Sequence, residues 1–187
     1  MKLCMIGTGY VGLVSGTCFA DIGNQVYCVD KDKNKIDKLN SGVSPIYEPG
    51  LDELIKKNYN ANRLIFTTDI KKAINSSDLI FICVGTPTKK GSLKVDLSFV
   101  YKCVKEILKH TKKKKIIITK STVPVGTGDE IEKIIKKKKK LFSIISNPEF
   151  LREGEAIRDF RYPDRIVIGS DNKNEFKTMR KLYSPLI

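Results

Sequence analysis

The sequence predicts an α/β fold, namely a doubly wound, mostly parallel sheet with helices on both faces. Short apolar runs alternate along the chain with segments whose apolar residues recur at helical spacing. The run 79–84 is continuously apolar, which is typical of a central parallel strand covered on both faces. At 187 residues with 41% hydrophobic residues, the chain has the length and composition of one soluble domain, which we assign to residues 1–187.

Each element of the first half has a local justification. The run 2–6 is apolar, and Val11, Val14, Cys18, Phe19 and Ile22 then recur at helical spacing. The next strand is 25–29. A helix over 32–40 places Ile36 and Leu39 on one face, a helix over 51–57 follows, and 64–66 is the third strand.

The second half continues the alternation. Asp69 is placed to cap a short helix that ends at residue 74. The remaining predicted strands are 79–84, 116–118, 142–145 and 165–168, and the remaining predicted helices are 97–108, 129–139 and 174–182.

A glycine-rich turn, Gly7-Thr8-Gly9-Tyr10-Val11-Gly12, joins the first strand to the first helix. Gly7 permits the tight turn, Gly9 lets a pyrophosphate approach the backbone, and Gly12 lets the helix pack close to the sheet. The helix N-terminus offers N–H groups and a positive dipole end to phosphates. Asp30 ends the second strand and can accept hydrogen bonds from ribose hydroxyls. The pattern predicts a Rossmann-type dinucleotide site that prefers NAD to NADP.

Two other interpretations of this segment are weaker. The turn could connect strand and helix without binding a ligand. The stretch 3–20 carries no formal charge, as in a membrane or signal segment, but its four glycines make it a poor one. No second uncharged stretch of spanning length follows, so we expect a cytoplasmic protein without a membrane partner.

The net charge of +14, from 35 basic and 21 acidic residues, raises nucleic-acid binding as an alternative function. The charge lies mostly in the lysine runs 112–115 and 136–140, without interleaved arginines or aromatic residues. We therefore interpret the runs as solvated surface and expect no nucleic-acid partner. A positive field would still attract an anionic cofactor or sugar nucleotide.

The cysteines indicate neither a metal site nor a nucleophile. The spacing of all five fits no zinc pattern, and three lie in predicted buried strands, where cysteine acts as a small hydrophobe. We expect reduced thiols and no bound metal.

Polar motifs end three of the predicted strands: Gly85-Thr86-Pro87, Ser121-Thr122 and Asn147-Pro148-Glu149. Ligands of open α/β sheets bind beyond the carboxyl ends of the strands. We therefore expect these motifs to lie at the same edge of the sheet as the glycine turn.

With these motifs in place, the chain closely resembles the NAD-binding domain of the UDP-glucose/GDP-mannose dehydrogenases. Matching stretches cover essentially the whole chain in the family's order: 7–14, 45–51, 84–88, 120–127, 147–154 and 163–169. Tyr47 and Asn147 resemble the UDP-glucose branch. The GDP-mannose and UDP-N-acetylmannosamine branches, and a non-catalytic NAD-binding module, are the alternatives.

The resemblance implies the chemistry and the residues. Family members use two NAD⁺ in turn to oxidise the C6 alcohol of the sugar to a carboxylate, here UDP-glucose to UDP-glucuronate, and we expect the full-length family to be homodimeric. By resemblance and motif, the NAD-contacting residues would be Gly7, Gly9, Tyr10, Val11, Gly12, Asp30, Lys35, Gly85, Thr86, Pro87, Ser121, Thr122 and Glu153. The substrate side would be Glu149, Phe150, Leu151, Arg152 and Glu153, with Thr122, Glu149 and Glu153 as catalytic residues.

The resemblance also has a gap. The family captures the intermediate aldehyde on a cysteine in a Cys-Phe-Pro-Lys-Asp-like segment, and none of the five cysteines here matches it. The family's central helix and C-terminal sugar-nucleotide domain likewise have no counterpart in this sequence. We therefore expect these 187 residues alone to bind NAD weakly and not to complete the oxidation.

Overall fold

The computed structural model describes residues 1–89 and 91–187, and in them six parallel strands form one sheet. The strand order is β3-β2-β1-β4-β5-β6. The strands are β1 Lys2–Ile6, β2 Gln25–Val29, β3 Leu64–Thr67, β4 Leu79–Ile82, β5 Lys115–Thr119 and β6 Phe142–Ser146. The predicted doubly wound α/β fold is confirmed.

Within the described residues, eight α-helices connect and flank the strands. They are α1 Tyr10–Asp21, α2 Lys33–Asn40, α3 Leu51–Asn60, α4 Ile70–Ser76, α5 Ser98–His110, α6 Thr127–Ile135, α7 Ala156–Arg161 and α8 Lys173–Tyr183. The predicted cap of α4 forms, because the Asp69 carboxylate accepts from the Lys72 amide. Helix α2 is capped in the same way by Asp32, whose carboxylate accepts from the Lys35 amide.

The two halves of the sheet diverge between β1 and β4. β1 pairs with β2 on one side, Ile6 opposite Val29, and with β4 on the other, Ile6 opposite Ile82. Successive crossovers run outward from this point in opposite directions. This switch point opens a crevice beyond the carboxyl ends of the two strands, which is where ligands of such sheets bind.

Each face of the sheet carries its own apolar core. One core packs α1, α2, α3, α7 and α8 on the sheet around Phe19, whose ring contacts Phe81, Phe160 and Tyr183. The other packs α4, α5 and α6 around Ile80, Ile82 and Ile117. Because helices cover both faces of the sheet, every residue of β4 is buried, and the sequence of this strand is an uninterrupted apolar run.

The prediction of a strand over residues 165–168 is wrong. The segment makes only an isolated antiparallel bridge between Gly169 and Ser146, at the end of edge strand β6. The side-chain amide of Asn147 donates to the Val167 carbonyl at 2.8 Å, so the segment is held by a side chain where a ladder would need backbone pairing.

One helix end and one short helix also differ from expectation. The helix predicted over 129–139 ends at Ile135, and 136–138 form a 3₁₀ turn; consecutive like charges there do not favour a continued α-helix. Helix α7 was not predicted, because its six residues are too few to show a clear period.

The lysine run 136–140 precedes β6, and the run 112–115 ends at Lys115, the first residue of β5, so both runs lie at the edge of the sheet opposite the crevice. A five-residue strand is about 17 Å long, roughly twice the physiological Debye length, so their field at the crevice is strongly screened. The interpretation of the runs as solvated surface is wrong for Lys115, which is buried and whose ammonium donates to the Ser77 carbonyl. In the described part of the chain, no helix is both long and apolar enough to cross a membrane.

Candidate cofactor and substrate clefts

The glycine turn between β1 and α1 leaves room only where a ligand would need it. Gly7 has φ +102°, and a Cβ there would lie 2.7 Å from the Cys83 carbonyl oxygen. A Cβ on Gly12 would overlap the Gly7 carbonyl oxygen and lie 3.0 Å from Cys83 Cβ, whereas a Cβ on Gly9 would meet nothing within 4 Å. The first and third glycines therefore shape the turn, and the second leaves open space above it.

Close packing of α1 on the sheet depends mainly on a glycine that the sequence reasoning did not assign. A Cβ placed at Gly16 would lie 2.7 Å from Cys28 Sγ in β2 and 3.1 Å from Met5 Cγ in β1. Gly12 meets the turn and the residue after β4, so the role expected of it is shared between the two glycines.

The N-terminus of α1 is uncapped by any described side chain, and its first turn contains no acidic residue. The N–H groups of the first turn have no intrahelical acceptors, and the helix dipole adds a positive potential there. The arrangement can bind a phosphate or another anion above Gly9.

Asp30 stands at the end of β2 in a fixed orientation. Its Oδ2 accepts from both the amide and the hydroxyl of Thr8, each at 2.9 Å, and its Oδ1 accepts from the Asp32 amide at 3.1 Å. Lys35 Nζ lies 3.6 Å from Oδ2. Partial burial alone would raise the pKa of Asp30, but these hydrogen bonds and the ammonium outweigh it and lower the pKa. The carboxylate is ionised at neutral pH and can accept hydrogen bonds from a ribose.

A cleft of about 630 Å³ adjoins this carboxylate. Of the predicted cofactor residues it is lined by Gly7, Gly9, Asp30, Lys35, Gly85 and Pro87. Its opposite wall comes from α5, through Phe99, Lys102 and Cys103, which sequence reasoning missed because α5 shows only an ordinary amphipathic period. Mostly apolar walls beside the Asp30 carboxylate suit a flat heteroaromatic ring attached to a ribose.

The ends of β4 and β5 are tied together beside this cleft. Ser121 is buried, and its hydroxyl donates to the Val84 carbonyl at 2.7 Å, while Thr86 Oγ1 donates to the Thr122 carbonyl at 3.0 Å. Both hydroxyls therefore serve the loop structure. Thr122 is exposed next to them, and its own hydroxyl has no partner among the described residues, so it is available to a ligand.

A second cleft, of about 600 Å³, lies beyond β6 and has a polar lining. The predicted substrate-side residues Glu149, Phe150, Leu151 and Arg152 line it, whereas Glu153 is exposed outside the described lining of both clefts. Glu149 Oε2 accepts from the Leu151 amide at 2.6 Å. The Arg152 guanidinium contacts Asp159 at 2.6 Å, so it is already paired.

A buried carboxylate, Glu48, connects the glycine turn to the substrate-side segment. Glu48 accepts from the Tyr10 hydroxyl, from the Gly154 amide at 2.8 Å and from the Ile157 amide at 3.2 Å. The Gly154 amide also donates to Tyr10 Oη at 2.7 Å. The Tyr10 side chain is thus committed to the protein, and only its backbone is left to meet a cofactor.

Burial and the hydrogen bond to Glu48 raise the pKa of Tyr10 to about 12. The motif 45–51 includes this loop, but Tyr47, the residue singled out in it, is 87% exposed, and the neighbouring Glu48 makes the contacts.

The cysteines lack the features of a nucleophile. Four of the five are buried, and Cys103 is partly buried. Burial raises the pKa of Cys18 and Cys83 to about 12 and that of Cys103 to about 11, and it raises those of Cys4 and Cys28 as well. All five thiols are therefore protonated at neutral pH.

Known proteins are similar to this chain in sequence and in fold. Residues 1–187 match the family described as the UDP-glucose/GDP-mannose dehydrogenase family, NAD binding domain. A UDP-glucose 6-dehydrogenase from Rhizobium meliloti is 53% identical over 100% of this chain and 44% of its own length. Another, from Bacillus subtilis, is 51% identical over 98% of this chain and 40% of its own length.

Solved structures of the same family have the same fold as this chain. A GDP-mannose dehydrogenase from Pseudomonas aeruginosa, in a ternary complex, superposes with a TM-score of 0.93 at 38% identity, covering 100% of this chain and 44% of that one. A UDP-glucose dehydrogenase from Pyrobaculum islandicum gives 0.93 at 34% identity, covering 99% and 44%. The chain thus spans less than half the length of these relatives. It belongs to the UDP-glucose/GDP-mannose dehydrogenase family, corresponds to the NAD-binding domain of that family, and has NAD as its cofactor.

Proposed function

We propose that this chain is the NAD-binding portion of a UDP-glucose 6-dehydrogenase, which oxidises UDP-glucose to UDP-glucuronate with two NAD⁺. The identity of the sugar is supported by the two curated relatives described above, both of which are UDP-glucose 6-dehydrogenases. The observation that carries the cofactor assignment is the ionised Asp30 carboxylate, fixed by Thr8 at the mouth of the first cleft. A 2′-phosphate would be repelled there, whereas two ribose hydroxyls would be bound.

Each part of an NAD molecule would find suitable residues in and around the first cleft. Asp30 and Lys35 would hold the adenosine ribose, and the adenine would lie between the strand ends and α5. The first turn of α1 would bind the pyrophosphate above Gly9, through the amides of Tyr10, Val11 and Gly12. The nicotinamide end of the NAD would be surrounded by residues at the ends of β4 and β5 and by Glu153. The strand-end residues are Gly85, Thr86, Pro87, Ser121 and Thr122. NAD⁺, when bound, accepts a hydride from the sugar carbon.

The second cleft would hold the sugar nucleotide. Glu149 would act as a base or position a water molecule, because its carboxylate lines the cleft and its only described contact is the Leu151 amide. The free Thr122 hydroxyl would donate to a developing oxyanion. Phe150, Leu151 and Arg152 would line the substrate. Glu153, which lies outside the described lining of both clefts, would approach the substrate and the nicotinamide from the exposed side.

The covalent part of the reaction would need a group that these residues do not supply. A thiolate nucleophile requires an exposed cysteine of low pKa, and all five cysteines here have raised pKa values. We therefore expect the 187-residue chain to bind NAD⁺ without turning over UDP-glucose. Formation of UDP-glucuronate by the pure chain would contradict this.

The test is a calorimetric titration of the chain with NAD⁺ and NADP⁺. The wild type should bind NAD⁺ and not NADP⁺. Asp30→Asn should weaken NAD⁺ binding by about ten-fold or more, the order expected for losing charged hydrogen bonds, and should reduce the discrimination against NADP⁺.

Asp37→Asn is the matched control. It removes the same charge from the neighbouring helix, where Asp37 pairs only with Lys33 at the surface, and it should leave both affinities unchanged. Equal affinities of Asp30→Asn and wild type for NAD⁺ would refute the assignment of Asp30.

A further inference from the structure

A buried ammonium group lies in the second cleft and was assigned no role above. Lys120 follows β5 directly, lines the cleft and is only 4% exposed. Its amide donates to the Ile82 carbonyl at 3.0 Å, which fixes its backbone to the end of β4. The position of the side chain is therefore set by the sheet and not by a mobile loop.

The described residues use little of the hydrogen-bonding capacity of this ammonium. Its one described hydrogen bond reaches Tyr183 Oη at 3.4 Å, and that hydroxyl itself donates to Asn147 Oδ1 at 2.7 Å. In residues 1–89 and 91–187, no carboxylate oxygen lies within 4 Å of Lys120 Nζ. An ammonium has three donors, so two N–H groups are left for something in the cleft.

The energetic consequence is a preference for an anion. A buried charge without a counter-charge is unfavourable, and an oxyanion entering the cleft would compensate it with short, charge-assisted hydrogen bonds. The other cations that line the cleft are exposed: Arg152 pairs with Asp159, Arg158 lies 3.6 Å from Glu155, and Arg165 lies over the Phe150 ring at 5.0 Å. Among the described cations of this cleft, Lys120 is the one that is buried and has no counter-charge.

We propose that Lys120 binds the carboxylate of the oxidised sugar, so that this cleft holds a sugar acid more tightly than the corresponding alcohol. This inference rests on the proposed function. A carboxylate is favoured over the diphosphate because Lys120 immediately precedes Ser121 and Thr122 and is held through Tyr183 to Asn147, two residues before Glu149. These are the residues placed at the reacting carbon, which lies away from the diphosphate.

The experiment compares UDP-glucuronate with UDP-glucose by calorimetric titration of the 187-residue chain. The wild type should bind UDP-glucuronate about ten-fold or more tightly, the order expected for a hydrogen bond between charged groups. Lys120→Met keeps the side-chain length, removes the charge and should abolish this preference while leaving UDP-glucose binding within about two-fold.

Arg158→Gln is the control, because it removes a positive charge from the exposed rim of the same cleft and should keep the preference. A spectroscopic readout does not depend on the folding of a variant. The ε-methylene NMR signal of Lys120 in the wild type should shift on addition of UDP-glucuronate and not of UDP-glucose.

Three results would overturn the inference. Equal wild-type affinities for the two ligands would exclude a carboxylate site. Equal weakening of both ligands by Lys120→Met would assign the ammonium to the diphosphate instead. Failure of both ligands to bind would overturn the inference for this chain and would leave the proposed function to its own test, the NAD⁺ titration.

Discussion

Replacing Gly12 by alanine tests whether the glycine turn is shaped by packing. The new Cβ would overlap the Gly7 carbonyl oxygen and lie 3.1 Å from the Gly7 carbonyl carbon. Its neighbours are mostly backbone, which cannot rotate away as a flexible side chain can. The turn that frames the open space over Gly9 would have to move.

Gly128→Ala provides the reference for the magnitude. Gly128 also lies in the first turn of a helix, α6, and a Cβ there would meet nothing within 4 Å. Both substitutions gain a similar helix-propensity term of up to about 1 kcal/mol. The difference between the two variants therefore isolates the overpacking cost at Gly12, which is about 1–3 kcal/mol.

The assay is urea unfolding followed by circular dichroism, together with calorimetric titration with NAD⁺. Gly128→Ala should unfold at equal or higher urea than the wild type, and Gly12→Ala should be less stable than Gly128→Ala by about 1–3 kcal/mol, or about 2–4 °C in melting temperature for each kcal/mol. Gly12→Ala should also bind NAD⁺ about ten-fold or more weakly. Equal stability of the two alanine variants, with NAD⁺ affinity unchanged, would refute the reasoning.

Three further predictions concern packing, charge and the thiols. Gly16→Val should destabilise the fold more than Gly16→Ala in urea unfolding, because the added atoms point at Cys28 Sγ; similar unfolding midpoints would show that the α1–sheet interface is loosely packed. Asp21 is partly buried, which would raise its pKa, but hydrogen bonds from Lys57, Asn58 and Arg161 lower it. Because the folded-state pKa lies below the unfolded value of about 3.9, its contribution is present above that pH and is lost as pH falls through the folded-state pKa. Asp21→Asn should therefore lower stability at neutral pH by about 1–2 kcal/mol and by less in acid, measured by urea unfolding across pH, and a pH-independent loss would contradict the linkage. Cys103 should be the first thiol labelled by a maleimide, slowly at neutral pH because its pKa is about 11; rapid labelling of a buried cysteine would show that the core opens readily.

Local rules in the sequence were enough to predict the first thirty residues. The strand, the glycine turn, α1, β2 and Asp30 are consecutive, and each depends on a residue type whose backbone or charge property acts on its near neighbours. The strand ends could also be placed at one edge, because parallel strands with right-handed crossovers all point their carboxyl ends the same way. The family and its cofactor followed from the order of these motifs.

Local rules failed where a contact joins distant parts of the chain. The segment 165–168 has the composition of a strand, yet it meets β6 through one bridge and the Asn147 side chain. The six residues of α7 form a helix whose start is fixed by Glu48, a residue 109 positions away from Ile157. The role of Gly16 was missed for the same reason, since β2 and β1 supply the atoms that exclude a side chain there.

The sequence by itself therefore determined the fold class, the cofactor turn and the family, because these depend on periodicity and on residues adjacent along the chain. Only the tertiary structure decided which polar groups are occupied and which are free. In the folded protein the Tyr10 hydroxyl bonds to Glu48 and Arg152 pairs with Asp159. The Thr122 hydroxyl has no partner among the described residues, and Lys120 is buried without a counter-charge. Burial and hydrogen-bond partners depend on which distant segments pack together, and no local pattern of residues records that.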